Sequence, residues 1–161
     1  MPLTKSVNFA DMKQVVVDSS VFLSSLIPED VFHTQSLDFF LFLERKKVPI
    51  LIPILVLMEV MQVGYKRTKD PELLRSWMLT FTRLSEVRGL RILPLESMFF
   101  ANFLKFHTSF PLETSDAIIS VTAAMENLPL VSWDKQLVKA SRPLVEAHTP
   151  AEFLALHRKR D

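Results

Sequence analysis

The sequence predicts an α/β fold in which a mostly parallel, five-stranded sheet is covered on both faces by helices. Two observations carry this expectation. Short β-branched runs alternate with longer segments of helical period, and the strand runs lack the polar alternation of a sheet with one wet face. A chain of 161 residues with 48% hydrophobic and 23% charged residues has the length and composition of one compact domain with a real core.

The five strands are read at Gln14 to Val17, Val48 to Ile52, Leu90 to Leu93, Leu130 to Trp133 and Leu144 to Ala147. After the first strand a helix starts at Ser19. Pro28, Glu29 and Asp30 open the next one, with Val31, Leu37, Phe40, Leu41 and Leu43 as its apolar positions and the basic run Arg45 to Lys47 at its end. A third helix begins after Pro53, includes Glu59 and stops near Gly64. Asp70 and Pro71 form an N-cap with proline at the first helical position, launching Glu72 to Val87, and Gly89 stops it. Further helices are expected over Glu96 to Thr108, Ser115 to Glu126, Lys135 to Ala140 and Pro150 to Arg158.

Several function classes are excluded or disfavoured. Two glycines are too few for a glycine-rich phosphate loop. With no cysteine there is neither a disulfide framework nor a thiolate metal site, which suits a reducing cytoplasm. The segment MPLTKSVNFADMKQ does not read as a secretory leader. The most apolar stretch, Val48 to Val63, is interrupted by Glu59 and two prolines, so no membrane span is expected. Net charge is +1, but its distribution is uneven: Glu44 to Arg91 holds ten Lys or Arg against five Asp or Glu, and residues 1–43 hold two against five. A phosphate-gripping arm beside a carboxylate pocket gives that pattern, as does a solvated helix face.

Four carboxylates stand out. Asp18 ends the run VVVD and Asp134 follows LPLVSW, so both occupy strand ends, where open α/β sheets bind their ligands. Each is equally placed to cap the next helix. Asp116 lies at the start of the helix in ETSDAIISVTAA, with Thr114 or Ser115 available as cap, and there it also suits the helix dipole. Glu59 is the one charged residue from Val48 to Tyr65. Burying it unpaired costs several kcal/mol, roughly, and a bound cation would offset that cost. Oxygen donors without histidine or cysteine suit Mg²⁺ or Mn²⁺ rather than zinc. His33, His107, His148 and His157 show no ligand spacing. Most of the thirteen phenylalanines read as core, with Phe99, Phe100, Phe103 and Phe106 offering an alternative docking groove.

The segments VVVDSSVFLSSL, ILVLMEVMQVGY, TSDAIISVTAAMENLPLVSWDKQL and TPAEFLAL resemble, in order and spacing, the PIN-domain family, particularly its VapC-type toxin ribonucleases. The likeness runs from about Val15 to Leu156. It implies a PIN-like three-layer α/β/α sandwich forming one nuclease domain over residues 1–161; the extended, basic helical arm over residues 66–89 departs from the family's pattern. It also implies an acidic quartet, Asp18, Glu59, Asp116 and Asp134, that binds Mg²⁺ or Mn²⁺ and hydrolyses RNA. Ser20 and Ser132 match positions where members carry hydroxyl or amide side chains beside the metal and its waters. Lys66, Arg67 and Lys69 would grip the RNA backbone. A homodimer and a small antitoxin partner are further implications. The rival readings are a catalytically silent PIN-like binding module and a structure-specific DNA nuclease.

Overall fold

A computed structural model describes residues 14–87, 89–96, 103–104 and 112–158. Among these, five strands and seven helices follow in the order β1 (Val15–Val17), α1 (Ser19–Leu26), α2 (His33–Arg45), β2 (Ile50–Pro53), α3 (Ile54–Thr68), α4 (Pro71–Glu86), β3 (Leu90–Leu93), α5 (Thr114–Glu126), β4 (Leu130–Val131), α6 (Lys135–Ser141), β5 (Ala147–His148) and α7 (Pro150–Arg158). The helix expected over Glu96 to Thr108 lies almost wholly outside the described residues, as do Phe99, Phe100, Phe106 and His107.

All neighbouring strands pair in parallel, in the order β3-β2-β1-β4-β5. The three valines of β1 are fully buried, as a central strand covered on both faces requires. From β1 the chain builds outward to β2 and β3, then returns to lay β4 and β5 on the other side. The carboxyl ends of β1 and β4 therefore flank the point where strand order reverses, the usual crevice of an open α/β sheet. The three-layer α/β/α expectation holds. Phe39 and Phe153 meet edge to face at 5.4 Å in the middle of the core, and Phe22 joins Phe40 and Phe81 at 5.0 and 5.3 Å. No helix among the described residues is long and apolar enough to cross a membrane.

Several boundaries differ from expectation for physical reasons. The Pro28-Glu29-Asp30 segment is a turn, in which Asp30 Oδ1 accepts the Phe32 N–H at 3.0 Å, and α2 starts only at His33. Its buried face consequently rotates to Ser36, Phe39, Phe42 and Leu43, leaving Leu37 and Leu41 exposed and Val31 in the loop at 87% exposure. Strand β4 ends at Val131, earlier than expected, because Ser132 and Trp133 turn away to build a loop. Strand β5 is displaced to Ala147 and His148.

Gly64 does not end α3, which continues to Thr68 and closes at Lys69 in a left-handed conformation (φ 55°). Gly64 serves close approach instead. A Cβ there would meet Trp77 Cζ3 of α4 at 2.4 Å, so the missing side chain is what lets the two helices touch. Trp77 and Phe81 are in turn the buried face of α4, whose start matches expectation: Asp70 Oδ1 accepts the Glu72 and Leu73 N–H groups, each at 3.0 Å, with Pro71 at the first helical position. Helix α4 thus docks on the core through an aromatic stripe. Overpacking at such a contact costs about 1–3 kcal/mol, and Gly64→Ala is expected to lower stability by that amount, read as a shift in urea midpoint. A midpoint equal to that of the wild type would show that α4 gives way freely.

Candidate active site

The site is built from two strand ends and two helices. Asp18 follows β1 and is buried. Its Oδ2 accepts three hydrogen bonds, from Ser20 N–H at 3.2 Å, Ser20 Oγ at 2.6 Å and Ser132 Oγ at 2.8 Å. Asp134 follows the short loop after β4, and its Oδ1 accepts the Gln136 and Leu137 N–H groups at 2.7 and 3.1 Å. At each residue a single carboxylate oxygen makes the helix cap, Oδ2 at Asp18 and Oδ1 at Asp134.

Ser20 and Ser132 join the two strand ends. Their hydroxyls lie 3.3 Å apart, Ser20 Oγ also accepts the Trp133 N–H at 3.1 Å, and Ser132 Oγ accepts the Asp134 N–H at 2.9 Å. With two hydroxyls and two N–H groups spanning Asp18 to Asp134, the rim is held as one hydrogen-bonded unit.

Glu59, from the middle of α3, and Asp116, from the first turn of α5, complete the set. Glu59 is half-buried rather than enclosed. Burial raises its carboxyl above the usual range, a hydrogen bond from the Ser19 side chain works against that rise, and the Asp18 charge adds to it. Asp116 is pushed up to about 6, first by burial and then by the charges of Asp18, Asp134, Glu113 and Glu59. Neither Thr114 nor Ser115 caps α5. Glu113 occupies that position without a side-chain bond. Glu59 and Asp116 are thus close enough to neighbouring acids for those charges to oppose their ionisation.

They line a cleft of about 390 Å³ together with Ser19, Ser20, Ser24, Asp30, Val31, Phe32, Arg67 and Trp133, among others. Of the three basic residues singled out in the sequence, only Arg67 reaches it. Arg67 Nη1 pairs with Asp30 Oδ2 at 3.1 Å and is 51% exposed. Burial tends to raise the Asp30 carboxyl, but the Phe32 N–H, Arg67 and Ser24 together hold it below its ordinary value. Lys69 instead stands 5.8 Å from the Tyr65 ring centroid, and Lys66 is exposed on the last turn of α3. His33 Nδ1 meets the Ser24 carbonyl at 2.9 Å, His148 meets Glu146 at 3.0 Å, and His157 is buried against Phe153, so none of these three takes part.

Among the described residues no three His, Cys, Asp or Glu side chains stand together as a ready-made metal cage. The donor chemistry nevertheless fits a hard divalent cation. Carboxylate oxygens with a spare lone pair, hydroxyls beside them and mutual repulsion to be relieved are what Mg²⁺ or Mn²⁺ meets when it keeps part of its water shell. Asp30, Ser19 and Trp133 also line the cleft, although the sequence does not mark them as site residues. Asp30 was legible only as a helix-opening acid, and nothing in the spacing marked the other two.

A family model described as PIN domain matches residues 15–143. No curated protein matches the chain. Similar solved structures include VapBC2 from Rickettsia felis bound to a DNA fragment from its promoter (TM-score 0.65, 19% identity, 84% of this chain and 97% of that one). A toxin–antitoxin complex from Klebsiella pneumoniae is also similar (TM-score 0.58, 21% identity, 85% and 98%). So is FitAcB from Neisseria gonorrhoeae (TM-score 0.60, 16% identity, 86% and 99%). At these identities the likeness is one of fold.

Because the folded-state pKa of Asp116 lies above its ordinary value of 3.8, its contribution to stability is fully present below about pH 4 and lost as pH rises through about 6. In EDTA, Asp116→Asn is expected to melt above the wild type at pH 7–8, with the gap closing toward pH 4. Melting curves across that range that show no gap at any pH would remove the charge repulsion.

Proposed function

The chain belongs to the PIN-domain family, and from that premise we propose that it is a Mg²⁺- or Mn²⁺-dependent endoribonuclease acting as the toxin of a toxin–antitoxin pair. The observation that carries this reading is the convergence of four carboxylates at one rim of the sheet, two of them, Glu59 and Asp116, raised by burial and by neighbouring acids. Among the described residues the one cation lining the cleft, Arg67, is already paired with Asp30.

A bound divalent cation would supply positive charge for the scissile phosphate and for an attacking water. Asp18, Asp116 and Asp134 would hold it, the helix caps at Asp18 and Asp134 each taking one carboxylate oxygen. Glu59 either joins them or takes the proton of the attacking water, a role its raised carboxyl suits. Water adds to phosphorus, the bond to the 3′ oxygen breaks, and 5′-phosphate and 3′-hydroxyl ends result. Ser20 and Ser132 position Asp18 and the loop bearing Asp134.

Arg67 is placed to meet the RNA backbone. An exposed ion pair such as Arg67–Asp30 contributes about 0–1 kcal/mol, little enough for a phosphate to displace Asp30. Lys66 and Lys69, on the same end of α3, extend that positive edge outside the cleft. An antitoxin partner, a homodimeric form and a cytoplasmic site of action belong to the same proposal. The toxin–antitoxin complex among the similar structures supports the first of these.

Two measurements test the reading. Asp18→Asn should abolish Mg²⁺- or Mn²⁺-dependent cleavage of labelled RNA while leaving the circular dichroism spectrum intact; undiminished cleavage by the variant sinks the assignment, and cleavage of DNA in preference to RNA would replace the substrate. Arg67→Ala should weaken RNA binding and lower the slope of log K against log salt by about one. An unaltered slope removes Arg67 from the RNA site.

A further inference from the structure

One wall of the cleft is apolar and plays no part in the hydrolysis described above. The rings of Phe32 and Trp133 lie 4.1 Å apart between centroids and within 10° of parallel. Trp133 is held at both ends: its indole N–H donates to Ser36 Oγ at 2.7 Å and its backbone N–H to Ser20 Oγ at 3.1 Å. Phe32 is anchored through its N–H to Asp30 Oδ1 at 3.0 Å. Val31, next in the chain, stands 87% exposed, and all three residues line the same cleft as the four carboxylates.

Such a wall offers nothing to a phosphate, which needs charge or N–H donors. It offers flat aromatic surface and a branched apolar side chain to something flat and apolar on its faces. Trp133 sits between Ser132 and Asp134, so whatever rests there lies beside the acidic set. In a nucleic acid the flat group nearest the phosphate, across one sugar ring, is the base. Only an unstacked base has a free face to present, since a duplex buries both faces.

We propose that Val31, Phe32 and Trp133 form a seat for one unstacked nucleobase of RNA beside the scissile phosphate. The seat rests on the nuclease reading given above and sharpens its substrate to RNA that can splay out a base at the cut. Its stiffness matters: the two rings are already stacked, and the indole N–H and the Phe32 backbone N–H already hydrogen-bonded, before any base arrives, so little ordering cost remains on binding. Because Trp133 donates to the same Ser20 hydroxyl that bonds Asp18, a seated base and the acidic rim are held in register by one side chain.

The test uses an oligoribonucleotide that the wild type cuts in Mg²⁺ or Mn²⁺, with copies carrying a single abasic ribose at each position around the cut. At one position next to the cut, loss of the base should lower kcat/KM about tenfold, the size of one base–aromatic stack. Trp133→Leu, checked for folding by its melting curve, should cut the intact and abasic copies at equal rates. Wild-type protein that cuts every abasic copy like the parent, or a Trp133→Leu variant that still discriminates between them, overturns the seat while leaving the nuclease standing. Absence of any RNA cleavage by the wild type overturns the nuclease reading and the seat together.

Discussion

The hydrogen bond from Ser132 Oγ to Asp18 Oδ2, 2.8 Å long, ties the carboxyl end of β1 to that of β4. The two strands are adjacent in the sheet but distant in the chain, and between their ends lies the crevice where strand order reverses. Ser20 closes the same junction from α1, and the Asp134 N–H returns to Ser132. Because the bonds are buried or partly buried, breaking one leaves an unsatisfied polar group in a poorly solvated place. The position of both aspartates, and of the tryptophan between them, follows from this junction.

The junction serves an electrostatically unfavourable end. Burial and like charge both push Asp116 upward, and Glu59 is raised by burial with Asp18 adding to it. Gathering four acids around one cleft is costly, because each new charge raises the cost of the others, and among the described residues the one cation in the lining is Arg67. Strained protonation of this kind is a recurrent mark of functional sites. Arg67 does not relieve it, being engaged by Asp30 at the mouth. The rim is stabilised locally by hydroxyls and N–H groups, and destabilised by its own charge.

The cleft also has two chemically different sides. The acids and hydroxyls form a polar floor, and the Val31, Phe32 and Trp133 wall stands beside it. The turn at Asp30 creates both the ion pair with Arg67 and the loop that carries Val31 and Phe32. A single short turn between α1 and α2 thus sets the charge at the mouth and the apolar surface within.

Much of this was legible along the chain. The alternation of β-branched runs with helical segments identified all five strands, and Asp70-Pro71 marked the start of α4, because strand propensity and capping act between residues a few positions apart. The four carboxylates and their two serines were readable as well, from strand ends, an isolated charge and a family resemblance. Distance in space was not. That Asp18 and Asp134 share a rim depends on β1 pairing with β4 across more than a hundred residues, and that Arg67 faces Asp30 depends on how α3 lies against α1. The same holds for Gly64, which local rules read as a helix stop and tertiary contact with Trp77 turned into a helix crossing. Burial decided the rest: Val31 is apolar enough for a core and stands in solvent, because the helix it was assigned to begins two residues later. Sequence alone determined which groups are present and which local structures they favour; packing alone decided which of them meet.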